Sequence, residues 1–171
     1  MSLKEEIQVL VADYLNPNHG RALVELLDAY AKDPAGGGQG LSEFTHNRLV
    51  SSLAKRPQAF SILAFAKKHG QADLPIGLVN CFEGFSTFAC MPLVNVHDVA
   101  VIEAYRGQGV AELMLNRVIE VARKRGACKL TLEVLSGNQA ANKLYQRMGF
   151  EAYQLDPGMG VAHFLQKKLI D

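Results

Sequence analysis

Apolar residues along the chain recur at two spacings, and the alternation between them outlines the elements. Residues 7–11, Ile7-Gln8-Val9-Leu10-Val11, read as a first strand, ended by Asn16-Pro17-Asn18. Across 19–32, Leu23, Leu26, Leu27 and Tyr30 fall at helical spacing; Asp33-Pro34 and the glycines up to Gly40 then break the chain. A second helix is predicted over 41–55, with Ser42 as its N-cap and Pro57 just past its end. Strands are predicted at 59–67 and 76–88, joined by a polar turn at 69–73, and at 94–102. The clearest helix is 110–124, where Val110, Met114, Val118 and Val121/Ala122 share one stripe and Gly126 closes the last turn. Arg123, Lys124 and Arg125 suit the negative end of that helix and read as a solvated turn. A strand at 129–135, a helix at 139–148 ended by Gly149, and late strands at 150–155 and 161–168 complete the reading.

Helices interleaved with strands give an α/β (α+β) class with a mixed sheet. Residues 99–102 and 130–134 are almost continuously apolar, as strands covered on both faces would be. The 171 residues suffice for one domain, 1–171, with a full core. A net charge of +1 argues against a general nucleic-acid binder. No apolar run reaches membrane-spanning length and no apolar segment follows Met1, so the expected location is cytoplasmic. Cys81, Cys90 and Cys128 are odd in number, and they fit reduced thiols better than a disulfide framework. The five histidines are scattered, and no metal site is expected.

The most informative stretch runs from Val99 to Ala111, where a valine strand feeds a loop that opens into the strongest helix. The usual Ser/Thr/Asp cap is missing, and Arg106 stands where the helix dipole is already positive. An anion would correct this mismatch, because Gly107 and Gly109 let the backbone come close and expose its N–H groups. A tight turn that simply requires glycine is the alternative. The dinucleotide fingerprint is excluded by Glu112 at its third glycine, and no Gly-Lys-Ser/Thr ending exists for a nucleoside-triphosphate loop.

Arg106-x-x-Gly109-x-Ala111, after Val99-Ala100-Val101, resembles the acetyl-CoA signature of the GNAT superfamily of N-acetyltransferases. About thirty residues on, the stretch from Asn138 to Phe150 resembles a second family motif, Asn-x-x-Ala-x-x-Leu-Tyr-x-x-x-Gly-Phe. The resemblance implies the GNAT fold, a central, mostly antiparallel twisted sheet flanked by helices. It implies a pyrophosphate on the N–H groups of Gln108, Gly109, Val110 and Ala111, with Arg106 and Gly107 beside them. It implies a pantetheine arm along the strand Val99-Ala100-Val101, pairing with the backbone of Val99 and Val101. The Val99 N–H would polarise the thioester carbonyl, and Asn138 and Tyr145 would form the other wall.

Acetyl transfer to an amine must remove a proton from an alkylammonium and deliver one to the leaving thiolate. The family match makes Tyr145 the acid, although Ala141, Leu144, Tyr145 and Met148 also form a stripe that suits a core role. His97 is the candidate base: strict alternation puts Asn95, His97, Val99 and Val101 on one side, with Asp98 opposite. A structural histidine is the competing role, and Glu83 is the reserve base. Acceptor contacts are expected from the loop 30–40 and from Phe82, Phe85 and Phe88, aromatics that could equally be core.

The expectation is a transferase that moves acetyl from acetyl-CoA to a primary amine in a ternary complex, with a small-molecule acceptor favoured and no metal. A protein N-terminal or lysine acetyltransferase and a non-catalytic acyl-CoA-binding regulatory module are the alternatives. No nucleic-acid or membrane partner is expected, and the resemblance allows a homodimer.

Overall fold

Asn16 and Pro17 start the first helix two residues before the predicted 19–32 segment. The Asn16 side chain accepts from the N–H groups of Asn18 and His19, and Pro17 takes the first helical position. The computed structural model describes residues 6–68 and 70–169; His69, first residue of the predicted 69–73 turn, lies outside them. The described chain falls into two compact units, Met1–Leu132 and Glu133–Asp171.

The first unit is built on a five-stranded sheet in sequential order: β1 (Ile7–Val11), β2 (Ala59–Ala66), β3 (Leu74–Ser86), β4 (Met91–Val101) and β5 (Leu130–Leu132). Three antiparallel pairs are followed by one parallel pair, β4 with β5. Helices α1 (Pro17–Lys32) and α2 (Glu43–Ala54) cover one face, where Leu23, Leu26 and Leu53 pack with Leu63, Leu78 and Ala100. Helix α3 (Val110–Lys124) buries Met114, Leu115 and Val118 on the other. There a Cβ on Gly77 would stand 2.7 Å from the Met114 methyl, so a larger residue would force that buried side chain to shift. Ser42 caps α2 through the Thr45 N–H, as its position predicts.

Three expectations are corrected. Residues 150–155 and 161–168 form no strand: 151–169 are exposed, and Ala162 N–H donates to the Tyr153 carbonyl outside any ladder. Alternation makes a strand only where a neighbouring ladder receives it. Here Asp156-Pro157-Gly158 bends the segment into a short 3-10 turn instead. β5 covers only Leu130–Leu132, shorter than the predicted 129–135. Arg125, expected in a solvated turn, donates to Glu83 at 3.0 Å and stacks 4.8 Å over Phe60.

In the second unit α4 (Gln139–Arg147) is capped by Asn138, and its buried residue is Tyr145. No helix among the described residues is long and apolar enough to cross a membrane.

Candidate functional site

β4 runs on where β5 stops. The parallel pairing covers only Val94–Val96, so from His97 to Val101 the strand has no partner on that side among the described residues. Across the other edge, Ile102 donates to Ile76 at 3.0 Å. In an antiparallel ladder bonded and non-bonded pairs alternate, so Ala100–Leu78 is bonded while Val99–Val79 and Val101–Gly77 are not. The backbone groups of Val99 and Val101 therefore face the open side. Ala100, also in the predicted cofactor strand, turns its side chain into the core.

A bulge changes the expected facing of this strand. Asn80 pairs with Asp98 but Cys81 with Val96, which leaves His97 as the extra residue. Alternation breaks there. Asn95 and Asp98 share the face of Leu78 and Ala100, whereas Val99 and Val101 lie on the opposite face with Val96. His97 does not follow the alternation that placed it with Val99. It is exposed, and its ring meets Phe82 edge-on at 5.4 Å.

After β4 a 3-10 turn, Glu103–Tyr105, leads into the glycine loop. Gly107 and Gly109 have φ of +73° and +84°, which L side chains rarely adopt. Gly109 is the N-cap of α3 and supplies no side-chain cap bond. The amides that open α3 follow an exposed loop and stand at the positive end of a fifteen-residue helix, where an anion is favoured. The Gln108 side chain folds back onto the Ala104 carbonyl at 2.8 Å. Arg106 donates from Nε to the Val101 carbonyl at 3.0 Å and from Nη2 to Asp33 at 2.9 Å.

The reserve base is occupied, since Glu83 accepts from Arg125. The other notable carboxylate, Asp98, ends a polar ladder across the sheet. Ser61 donates to Asn80 Oδ1 at 2.6 Å, and Asn80 Nδ2 donates to Asp98 at 2.9 Å. Tyr14 meets Ser61 Oγ at 2.9 Å, and burial pushes its phenol pKa up, partly offset by that bond. Asp98 also raises the Tyr30 pKa, after burial, which is the larger cause.

In the second unit Asn138 Oδ1 accepts from the Ala141 N–H at 3.2 Å, so this residue is the cap of α4. Tyr145 is buried, with its ring 5.7 Å from that of Phe150.

On the expected acceptor side, two α1 carboxylates shape the glycine-rich loop. Asp28 accepts from Leu41 N–H at 2.8 Å and from Lys32 at 2.6 Å, and Asp33 caps the 3-10 turn Pro34–Gly36. Phe85 and Phe88 are exposed, while Phe82 packs against the core. Neither Asp28, Asp33 nor the Tyr14–Ser61–Asn80 ladder stood out in sequence. Their partners lie up to 73 positions away along the chain, and only Asp33-Pro34 carried a local cue, that of a turn.

A family model described as the acetyltransferase (GNAT) family matches residues 23–150. Thialysine N-epsilon-acetyltransferase of Mus musculus is 38% identical over 122 residues, covering 64% of this chain and 71% of that protein. Streptothricin acetyltransferase of Streptomyces lavendulae is 33% identical over 78 residues, 46% of this chain and 41% of that protein. The chain thus spans less than half the length of that relative. The crystal structure of a probable acetyltransferase superposes with a TM-score of 0.77 at 20% identity, covering 94% of this chain and 98% of that one.

Proposed function

The chain belongs to the GNAT family of acetyltransferases, and from that premise we propose that it moves an acetyl group from acetyl-CoA to a primary amine by direct transfer in a ternary complex. The observation that carries this reading is the uncapped start of α3 directly after an unpaired stretch of β4. The loop amides of Gln108 to Ala111 take the pyrophosphate, with Gly107 giving close approach and Arg106 adding charge. Pantetheine amides pair along the open edge at Val99 and Val101, and the Val99 N–H polarises the thioester carbonyl. The family match runs across both units, which supports reading 1–171 as one acetyltransferase domain.

The reaction forms one C–N bond and breaks one C–S bond. The acceptor ammonium loses its proton to His97, directly or through one water, and the neutral amine attacks the thioester carbon. His97 suits this role because it is exposed and its ring nitrogens have no hydrogen-bond partner among the described residues. Tyr145, matched to the family's tyrosine, protonates the departing thiolate, and the second proton that the nitrogen sheds on becoming an amide restores the phenol through solvent. Asn138 belongs to the same family motif and caps the helix that carries Tyr145.

A small-molecule acceptor is favoured, and the thialysine and streptothricin enzymes among the relatives support that class by their names. A polypeptide amine presents the same nucleophile and is the second reading. The test is coenzyme thiol release with acetyl-CoA across a panel of polyamines, amino acids, aminoglycosides and N-terminal peptides. Turnover on a small amine and none on peptides is expected. Binding of acetyl-CoA without release on any amine would make the chain an acyl-CoA-binding module.

A further inference from the structure

Arg106 reaches out of the glycine loop to Asp33, the residue that closes α1 and begins the glycine-rich segment 34–41. The two lie 73 positions apart in sequence and 2.9 Å apart in space. The guanidinium spends one of its edges on the protein, Nε on the Val101 carbonyl and Nη2 on Asp33. Its outer edge, formed by Nη1 and the second Nη2 hydrogen, makes no bond among the described residues. That edge is the fork which takes a phosphate in a bidentate way.

We propose that Asp33 is a positioning residue, which holds Arg106 ready for the acetyl-CoA phosphates and couples their arrival to order in residues 34–41. The inference rests on the acetyl-CoA reading above. Arg106 is half-exposed and would otherwise sweep many rotamers. Whichever anion reaches it first removes that freedom, so the second meets an ordered guanidinium. By reciprocity, a phosphate on the outer edge strengthens the hold on Asp33 as much as Asp33 strengthens the hold on the phosphate. Asp33 passes this on directly. Its Oδ1 accepts from Ala35 N–H at 2.9 Å, and its carbonyl accepts from Gly36 at 2.8 Å and Gly38 at 3.1 Å. Gly37 and Gly38, both at positive φ, make the segment pliable between this anchor and the Asp28–Leu41 bond at its far end.

The experiment combines calorimetry with acetyl-CoA and amide hydrogen exchange on the full chain, comparing the parent, Asp33→Asn, Asp33→Glu and Arg106→Ala. Asparagine keeps the oxygen that caps Ala35 and puts an amide N–H in place of the oxygen that accepts from Arg106, and melting temperatures check that each variant folds. In the parent, saturating acetyl-CoA should slow exchange at Ala35, Gly36 and Gly38 by roughly 5-fold or more. Asp33→Asn should lose that protection and bind acetyl-CoA roughly 5-fold more weakly, while Asp33→Glu restores part of both. Asp33→Asn added to Arg106→Ala should cost no further affinity. Unchanged or tighter binding in Asp33→Asn overturns the proposal, and so does a saturated parent without protection at these amides. If the parent binds no acetyl-CoA at all, the underlying reading falls and takes the proposal with it.

Discussion

Asn80 donates its amide to the Asp98 carboxylate at 2.9 Å, across the one place where β3 and β4 slip register. The oxygen of the same amide accepts from Ser61, so a single side chain links two strands and continues to Tyr14. Ser61 and Asn80 are the buried polar residues among those described, in a sheet whose other buried side chains are apolar. The hydroxyl of Ser61 points at Asn80, so its oxygen is left to accept from Tyr14. The bonds therefore run in one direction, an arrangement in which each strengthens the next.

Replacing Asn80 with Ala takes away the acceptor of the Ser61 hydroxyl and the donor to Asp98. The expected loss is about 1–3 kcal/mol of folding stability, read from urea unfolding. Ser61→Ala in the Asn80→Ala background should then cost less than it does alone, because the partner is already gone. Additive losses would mean that the ladder is not one unit.

Gly109 tests the phosphate loop. Space is not the constraint, since beyond its chain neighbours nothing lies within 4 Å of the position a Cβ would take, but the φ of +84° is. Gly109→Val should cost about 1–2 kcal/mol of stability through backbone strain, and also weaken acetyl-CoA in calorimetry by blocking its approach. Parent-like affinity in a folded Gly109→Val would remove the loop from the cofactor site.

Tyr145→Phe separates catalysis from packing. The ring stays against Phe150, so the melting temperature should shift little. If the phenol protonates the thiolate, kcat should fall by about 10²–10⁴-fold with acetyl-CoA affinity nearly unchanged. Full turnover would return Tyr145 to the helix stripe.

Acid stability should report Asp28. Its carboxyl is held at about 2, first by Lys32 and then by the Leu41 N–H, with a smaller share from His46. A lowered pKa means that the folded state favours the ionised form. The stabilisation is therefore complete above the unfolded value of about 3.9 and disappears as the pH falls toward about 2. Asp28→Asn should melt below the parent at pH 6, with a gap that closes between about pH 4 and pH 2. A gap that stays constant across that window would exclude the ionic contribution.

The helices and most strands were legible in the sequence because their causes are local. Ser42 caps α2 through Thr45, three residues on, and the stripe of Val110, Met114 and Val118 repeats at the helical period of α3. The two motifs around Gly109 and Tyr145 were equally legible, since residue type and spacing define them. The late strands were not. Their alternation is present, but a strand requires an adjacent ladder, and 151–169 are exposed.

By itself, then, the sequence determined the α/β class, the starts of α3 and α4 and the glycine loop, all features written within a few residues of each other. The tertiary structure alone decided the facing of His97, because one bulge residue reverses the phase of every side chain beyond it. It alone decided that Glu83 is neutralised by Arg125, that Asn80 bridges Ser61 to Asp98, and that Asp33 holds Arg106. Each of these is a directional bond of about 3 Å between segments distant along the chain. Local propensity carries no information about such bonds, which exist only after the strands have chosen their register.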